Sequence, residues 1–260
     1  MTENQLAGRH ALVTGAGSGI GAAVTTALAK AGARITLVGR NQEKLLRRAD
    51  TLRDHTEVHI APADISDETA VAVAFASASE ALGPVSILVN NAGVAASERL
   101  GKMTLALWRQ ILDVNLTGTF LCSRAAVPGM VETGWGRIVN VASTAGLDGY
   151  AYLTAYCAAK HGVVGFTKAL AAELAERGVT VNAVCPGYTE TDMVQQALNN
   201  IVTRTDRTLE QARAELEAQN PGGRILSPEE VAEKVLWLCL PASGGLTGRT
   251  ITFSSDEGPE

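Results

Sequence analysis

The sequence predicts an α/β fold in which one doubly wound parallel β-sheet of about seven strands carries helices on both faces. Short apolar runs rich in β-branched residues alternate, along the whole chain, with longer segments whose apolar residues recur at helical spacing. No internal repeat or low-complexity linker divides the 260 residues, a length that a single domain can have. We therefore expect one domain built of alternating strands and helices.

Each element follows from its local pattern. The strand runs cover residues 11–14, 35–38, 58–61, 87–90, 138–141, 181–184 and 250–253. The helical patterns cover residues 20–31, 43–52, 68–82, 105–131, 155–176 and 229–240. Residues 189–224 interrupt the alternation: they are polar, helical in pattern and end in Asn-Pro-Gly-Gly at 220–223. A segment of this length after a strand is typical of active-site covers.

Composition excludes several classes of protein. The chain is 46% hydrophobic and 19% charged, which argues against disorder, and its net charge of −5 without a basic run argues against a nucleic-acid surface. No stretch approaches the ~20 apolar residues of a membrane span, and the polar start lacks a signal core, so we expect a cytoplasmic protein. The cysteines are widely spaced, which favours reduced thiols over a disulfide or metal site. They are Cys122, Cys157, Cys185 and Cys239.

A glycine-rich turn, TGAGSGIG at residues 14–21, joins the first strand to the first helix. Its glycines allow a tight turn, and the helix N-terminus can present N–H groups to a pyrophosphate. The alternative is a strand–helix turn without a ligand. The second strand ends in Gly39-Arg40, with no acidic residue to bind a ribose 2′-OH, so NADP(H) is favoured over NAD(H). The alternative is that Arg40 is a solvated loop charge.

Tyr156 and Lys160 are four residues apart in a helical pattern, which puts the phenol and the ammonium on one face. A nearby cation stabilises a phenolate, so we expect Lys160 to lower the pKa of Tyr156 and allow it to exchange protons. Ser143 ends a strand 13 residues earlier. The alternative is an exposed tyrosine beside a solvated lysine.

Together these features resemble the short-chain dehydrogenase/reductase family, whose sheet is Rossmann-like. The resemblance rests on the TGxxxGxG turn, Asn90-Asn91-Ala92-Gly93, the Ser143–Tyr156–Lys160 set and the Pro186-Gly187 element. It covers residues 8 to about 253 and is greatest to bacterial β-ketoacyl and polyketide ketoreductases. Ser18 departs from many NADP-preferring relatives, which carry a basic residue in the turn. The ending TFSSDEGPE at 252–260 departs from the Asp-Gly-Gly common in the family.

The resemblance implies a role for each matching residue. Ser143 would orient the substrate oxygen, Tyr156 would transfer the proton, Lys160 would also bind the nicotinamide ribose, and Asn115 would hold a relay water. From the residues alone, Asn115 is a polar residue inside a helix that bonds to backbone. The implied cofactor contacts are Gly15, Ser18, Gly19, Ile20, Arg40, Asp64, Ile65, Asn91, Ala92, Gly93, Tyr156, Lys160, Pro186, Gly187, Thr189 and Thr191.

The implied function is NAD(P)(H)-dependent interconversion of a ketone and a secondary alcohol, on a 3-oxoacyl thioester or a related ketone. The alternatives are a catalytically silent nucleotide-binding subunit and a dehydrogenase of cyclic, steroid or sugar alcohols. Arg204, Arg207 and Arg224 could meet thioester phosphates or could be solvated charges. Family relatives pair the helices at 105–131 and 155–176 between subunits, so we expect a homodimer or homotetramer. We expect a core at 8–188, a substrate cover at 189–224 and a final part at 225–260.

Overall fold

The computed structural model describes residues 4–253, which contain a single seven-stranded parallel sheet. The strands are β1 (His10–Thr14), β2 (Arg34–Gly39), β3 (Val58–Pro62), β4 (Ile87–Asn90), β5 (Gly136–Val141), β6 (Val179–Val184) and β7 (Thr250–Ile251). Their order is β3-β2-β1-β4-β5-β6-β7, so the winding direction reverses between β1 and β4. A crevice opens at such a reversal, outside the carboxyl ends of the strands, and ligands bind there.

Several of the helices begin at short polar residues that cap them. They are α1 (Gly19–Lys30), α2 (Gln42–Leu52), α3 (Glu68–Leu82), α4 (Leu105–Leu112), α5 (Gly118–Thr133), α6 (Thr154–Leu174), α7 (Asp192–Arg204), α8 (Leu209–Ala218) and α9 (Pro228–Cys239). The side chains of Asn41, Asp67 and Thr104 each accept a hydrogen bond from the backbone N–H three residues later, which satisfies a free donor of the first turn. Ser227 and Glu230 form a reciprocal capping box at α9.

Both faces of the sheet are buried, as predicted. In β1, Ala11 and Val13 pack with α1, α2 and α9, whereas Leu12 packs with α3, α5 and α6 on the opposite face. Alternate residues of β4 and β5 divide in the same way. The doubly wound α/β prediction is therefore confirmed.

Two elements differ from the sequence prediction. The helix expected over residues 105–131 is divided into α4 and α5 by a π-helical turn, Asp113–Thr117. Asn115 lies in this turn, where its side chain donates to the Ile111 carbonyl while its own carbonyl accepts from Thr119. These side-chain bonds accommodate the extra residue of a π turn, a feature common at functional sites. The last strand ends at Ile251, and the atypical C-terminal residues 254–260 lie outside the described part of the chain.

The polar segment after β6 is helical, as expected, and consists of α7 and α8. It has its own small core, in which Val194 and Leu198 pack against Ala212 and Leu216. None of the helices within residues 4–253 is long and apolar enough to cross a bilayer. All four cysteines are free thiols, and three of them are buried.

Candidate active site

The glycine-rich turn lies against the loop that follows β4, at the reversal of the sheet. Gly15 has a φ of 64°, and a Cβ there would come within 2.8 Å of Ala92 Cα and 2.9 Å of Asn91 Nδ2. The Asn91 side chain donates to the carbonyls of Thr14 and Gly15, at 2.9 and 3.3 Å. The two loops therefore pack backbone against backbone and leave room only for glycine at position 15.

The first turn of α1 is open to an anion. Ser18 is in the N-cap position, but its side chain caps no backbone N–H, and the first turn contains no acidic residue. Ile20 continues the helix and packs against the core. Thr191 forms the facing wall, because a Cβ on Gly19 would lie 2.9 Å from its methyl group. The free amides and the helix dipole therefore favour a phosphate group at this point.

The end of the crevice beside β2, where we expect the adenosine, carries exposed charges. Arg40 lies 3.9 Å from Asp64, and both side chains are exposed. Asp64 accepts hydrogen bonds from the Ser66 hydroxyl and N–H, and the hydroxyl bond is the main cause that lowers the pKa of the Asp64 carboxyl. Ile65 is buried against Gly118, where no Cβ would fit. The structure thus places Arg40 and Asp64 side by side at the ends of β2 and β3.

Ser143, Tyr156 and Lys160 meet at the carboxyl end of β5. Ser143 follows the strand, and its Oγ accepts from the Ala145 N–H at 3.1 Å. Tyr156 and Lys160 share one face of α6, with Lys160 Nζ 5.7 Å from the centre of the phenol ring. Lys160 is only 4% exposed and donates to the Val141 carbonyl at 2.8 Å. The predicted trio is therefore one cluster.

Asn115 connects this cluster to the loop after β4. Its Nδ2 donates to the Val94 carbonyl at 2.8 Å, and its Oδ1 accepts from the Val94 N–H at 3.3 Å. A Cβ on Gly93 would lie 2.7 Å from Asn115 Oδ1 and 3.8 Å from Lys160 Nζ. Asn115 and Lys160 thus both approach the backbone of Gly93, where a larger residue would separate them.

The segment after β6 completes the cluster. The Pro186 carbonyl accepts from the Thr144 N–H at 3.0 Å, which fixes this segment beside Ser143. Thr189 donates through its hydroxyl to the Gly187 carbonyl, and Thr191 donates to the Thr189 carbonyl. These bonds hold the segment between the Ser143 loop and the first turn of α1.

The comparisons with known proteins agree with this geometry. The family model for short chain dehydrogenases matches residues 9–202. A ketoacyl reductase from Streptomyces coelicolor is 39% identical over 244 residues, which cover 93% of this chain and 94% of the relative. The 3-oxoacyl-(acyl-carrier-protein) reductase of Aquifex aeolicus is 38% identical and covers 96% of this chain and 97% of its own. The chain belongs to the short chain dehydrogenase family.

A solved structure extends the match to the whole fold. A crystal structure of an actinorhodin polyketide ketoreductase variant with NADPH superposes with a TM-score of 0.92 at 37% identity, covering 99% of this chain and 100% of the other. This short chain dehydrogenase is therefore an NAD(P)-dependent oxidoreductase. The crevice fits such a cofactor: it offers uncapped helix amides for the pyrophosphate and glycine backbone where a side chain would obstruct.

Burial dominates the electrostatics of the tyrosine and lysine in this short chain dehydrogenase. Burial raises the pKa of Tyr156 to about 12, partly offset by a hydrogen bond with Ser143. Burial also lowers the pKa of Lys160 to about 8. The Tyr156 pKa is therefore raised and not lowered as expected, because desolvation of the buried phenol is the dominant cause, while the Lys160 ammonium donates to the Val141 carbonyl. Tyr156 is consequently a protonated acid at neutral pH.

Sequence reasoning missed the hydrogen-bond partners of Asn90 and the position of Lys44. The Asn90 amide donates to Ser123 and to Asn140, and the Asn140 amide donates to Thr167, which forms a buried network beneath the cluster. Lys44, in the first turn of α2, forms an ion pair with Asp192 across the cofactor crevice. A lysine in a first helical turn is a local signal for a nearby anion, because the dipole disfavours a cation there.

Proposed function

We propose that this short chain dehydrogenase uses NADP(H) to reduce the ketone of a 3-oxoacyl thioester or a related compound to a secondary alcohol. The observation that carries the proposal is the joining of Ser143, a protonated Tyr156 and a buried Lys160 in one cluster beside the nucleotide crevice. The intact trio argues against a catalytically silent nucleotide-binding subunit.

In this proposal, Ser143 and Tyr156 hold the carbonyl oxygen of the substrate through their hydroxyl groups. The bound cofactor supplies the hydride to the carbonyl carbon. Tyr156 donates its phenolic proton to the developing alkoxide. The raised pKa of the Tyr156 phenol means that this proton is present before the reaction begins. A positively charged Lys160 stabilises the phenolate that remains, and Asn115 holds the water through which the proton is replaced.

The proposed cofactor contacts follow the elements of the crevice. The first turn of α1 would hold the pyrophosphate, Arg40 would hold the 2′-phosphate, and Asp64 would hold the adenine. The remaining contacts come from the loops after β4 and β6 and from α6. The full proposed set is Gly15, Ser18, Gly19, Ile20, Arg40, Asp64, Ile65, Asn91, Ala92, Gly93, Tyr156, Lys160, Pro186, Gly187, Thr189 and Thr191.

The substrate class is supported by the relatives, which are named as ketoacyl reductases. The arginines of the cover give weaker support. Arg207 and Arg224 are each paired with a glutamate, while Arg204 donates to the Ser97 carbonyl at 3.3 Å, beside the loop after β4. Arg204 is therefore the best placed of the three to meet a thioester phosphate near the crevice.

We also propose that residues 8–188 act as the nucleotide-binding and catalytic core, residues 189–224 as the substrate cover and residues 225–260 as the closing part. A cytoplasmic homodimer or homotetramer would bury the apolar face shared by α5 and α6. Phe120 on that face is 41% exposed and meets Phe166 edge to face, with ring centres 6.4 Å apart. Light scattering at micromolar concentration tests the assembly: a monomer would contradict it.

An initial-rate panel tests the reaction. We would measure NADPH and NADH oxidation with acetoacetyl-CoA, a short 3-oxoacyl thioester, a cyclic ketone and a keto sugar. The largest kcat/KM is expected for NADPH with a thioester. Activity confined to the cyclic ketone or the sugar would contradict the substrate class, and no activity on any of them would favour the silent subunit.

A further inference from the structure

An exposed ion pair joins the two walls of the cofactor crevice. Lys44 Nζ on α2 lies 3.1 Å from Asp192 Oδ2 on α7, although the residues are 148 positions apart. The two side chains are 44% and 71% exposed. Asp192 directly follows Thr191, whose methyl group contacts Gly19 of the glycine turn. The pair therefore spans the outer edge of the turn and links the adenosine end of the crevice to the substrate cover.

Lys44 and Arg40 both lie near the end of β2 and the glycine turn. A Cβ on Gly17 would lie 3.0 Å from Lys44 Cβ, so the lysine stands directly over the glycine turn. The next residue, Leu45, is the neighbour nearest to Gly39 at the end of β2, at 3.4 Å from the position of a Cβ. The end of β2 is where dinucleotide-binding sheets receive the adenosine ribose. A long side chain rooted at Lys44 can therefore reach a group on that ribose.

The position of Lys44 in the first turn of its helix favours an anion near its ammonium group. Lys44 is the third residue of α2, and its N–H is capped by the Asn41 side chain. A cation in the first turn is disfavoured by the helix dipole, whereas an anion is favoured there. Asp192 supplies one negative charge in the present arrangement. A phosphate monoester carries between one and two negative charges at neutral pH and more acceptor oxygens, so it would be the stronger partner.

We propose that Lys44 is a second ligand of the cofactor 2′-phosphate, besides Arg40, and that Asp192 competes with the phosphate for it. This inference rests on the proposed use of NADP(H). Binding of the phosphorylated cofactor then separates Lys44 from Asp192 and frees the first turn of α7, whereas NAD(H) leaves the pair intact. The substrate cover would therefore be held by the Lys44–Asp192 pair when NAD(H) is bound and released from it when NADP(H) is bound.

The test substitutes Lys44 and Asp192 in separate variants and measures the affinity of each variant for two nucleotides that lack the nicotinamide. Adenosine 2′,5′-bisphosphate and adenosine 5′-monophosphate differ only in the 2′-phosphate, so calorimetric titration of both isolates its contribution. Lys44→Gln should weaken the bisphosphate about tenfold, the size of one charge-assisted hydrogen bond. Asp192→Asn should tighten it by about twofold to fivefold, since an exposed ion pair no longer competes. Neither change should alter binding of the monophosphate.

Matched controls and the opposite signs make the result decisive. Lys30→Gln and Asp54→Asn remove the same charges at exposed positions at the far ends of α1 and α2, and should change neither affinity. If Lys44→Gln and Asp192→Asn shift both nucleotides in the same direction, the pair is only a structural contact and the inference is wrong. If Arg40→Ala weakens the bisphosphate but Lys44→Gln does not, the inference fails while NADP(H) use stands. If the wild-type protein does not prefer the bisphosphate, the proposed cofactor itself is wrong.

Discussion

Polar groups beneath the proposed catalytic residues differ in kind from those around the adenosine end of the crevice. Beneath the cluster, Asn140 is fully buried and exchanges hydrogen bonds with Asn90 and Thr167. Around the adenosine end, Arg40 is 62% exposed and lies 3.9 Å from Asp64, its partner in a solvated ion pair. The first region holds its polar groups in one arrangement, whereas the second consists of charges that can change partners.

The difference indicates that the two regions have different functions. A buried donor that loses its partner costs the full desolvation penalty, so the network beneath the cluster fixes the geometry for proton transfer before any ligand binds. At the adenosine end, which we call the rim, an exposed ion pair contributes only about 0–1 kcal/mol to stability. A phosphate can therefore replace Asp64 as the partner of Arg40, or Asp192 as the partner of Lys44, with little loss of stability. Substitutions in the first region should therefore affect turnover or stability, and those in the second should affect only cofactor choice.

The largest effect is expected from Tyr156→Phe, which removes the acid of the buried region. Turnover should fall by about 10²- to 10⁴-fold, the usual contribution of a positioned general acid. The Kd for NADPH should change little, because Tyr156 is only one of the many proposed cofactor contacts. Stopped-flow and fluorescence titration measure the two quantities. Tyr152→Phe, at a 54% exposed tyrosine two residues before α6, is the matched control. Near-normal turnover in Tyr156→Phe would remove this residue from proton transfer.

A buried histidine at the amino end of β1, the opposite end of the sheet from the catalytic cluster, is a separate fixed polar group that can be tested by pH. His10 is 1% exposed, and its ring nitrogens lie 2.7 Å from the Gly83 carbonyl and 2.8 Å from Thr36 Oγ1. Burial lowers its pKa from 6.5 to about 4, so the folded state holds the neutral ring. Between pH 6.5 and pH 4, His10 becomes protonated in the unfolded chain but stays neutral in the folded protein. The free energy of unfolding should lose about 3 kcal/mol from this group alone.

Urea unfolding at pH 7 and pH 4 measures that loss. His10→Gln should lower stability at pH 7 but flatten the pH dependence, because the group that titrates is gone. His55→Gln, at an exposed histidine, is the control and should leave the pH dependence unchanged. Equal pH dependence in wild type and His10→Gln would show that His10 is not held neutral.

Asn140→Ala tests the buried network with a smaller expected effect. The substitution leaves the Asn90 amide with only Ser123 as an acceptor and removes the donor to the Thr167 hydroxyl. The free energy of unfolding should fall by roughly 1–3 kcal/mol, the cost of an unpaired buried polar group. Asn199→Ala, at an exposed position on α7, should change it by less than about 0.5 kcal/mol. Equal costs at the two positions would mean that the network has no special role.

Each of the two regions could be predicted from the sequence only in part. The glycine turn and the Tyr156–Lys160 spacing are local patterns, so the fold and most candidate site residues could be predicted. The bonds of Asn140 join three separate elements, and the Lys44–Asp192 pair joins residues 148 positions apart, so no local pattern contains them. The pKa of Tyr156 depends on burial by the surrounding loops, which spacing alone does not reveal. The π turn at Asn115 likewise follows from tertiary bonds to Val94.

The smallest structural disturbance is expected at the rim, where Arg40→Ala and Gly39→Asp should change cofactor choice without changing stability. Arg40→Ala removes one charge-assisted contact, so NADPH should bind about tenfold more weakly and NADH should be unaffected. Gly39 does not have a positive φ, and a Cβ there would meet only Leu45, at 3.4 Å, so an aspartate can be accommodated. Its carboxylate would accept a hydrogen bond from the ribose 2′-OH and repel a 2′-phosphate, which reverses the preference.

The ratio of kcat/KM for NADPH and NADH, measured at two salt concentrations, separates a charge effect from a change of shape. In the wild type, the ratio should favour NADPH and should decrease as salt screens the exposed Arg40. In Arg40→Ala it should be lower and less sensitive to salt, and in Gly39→Asp it should favour NADH. Arg53→Ala, at an exposed arginine just beyond α2, should leave the ratio and its salt dependence as in the wild type. If the wild type prefers NADH and Arg40→Ala changes neither cofactor, the exposed rim does not select the cofactor and the contrast between the two regions fails at that point.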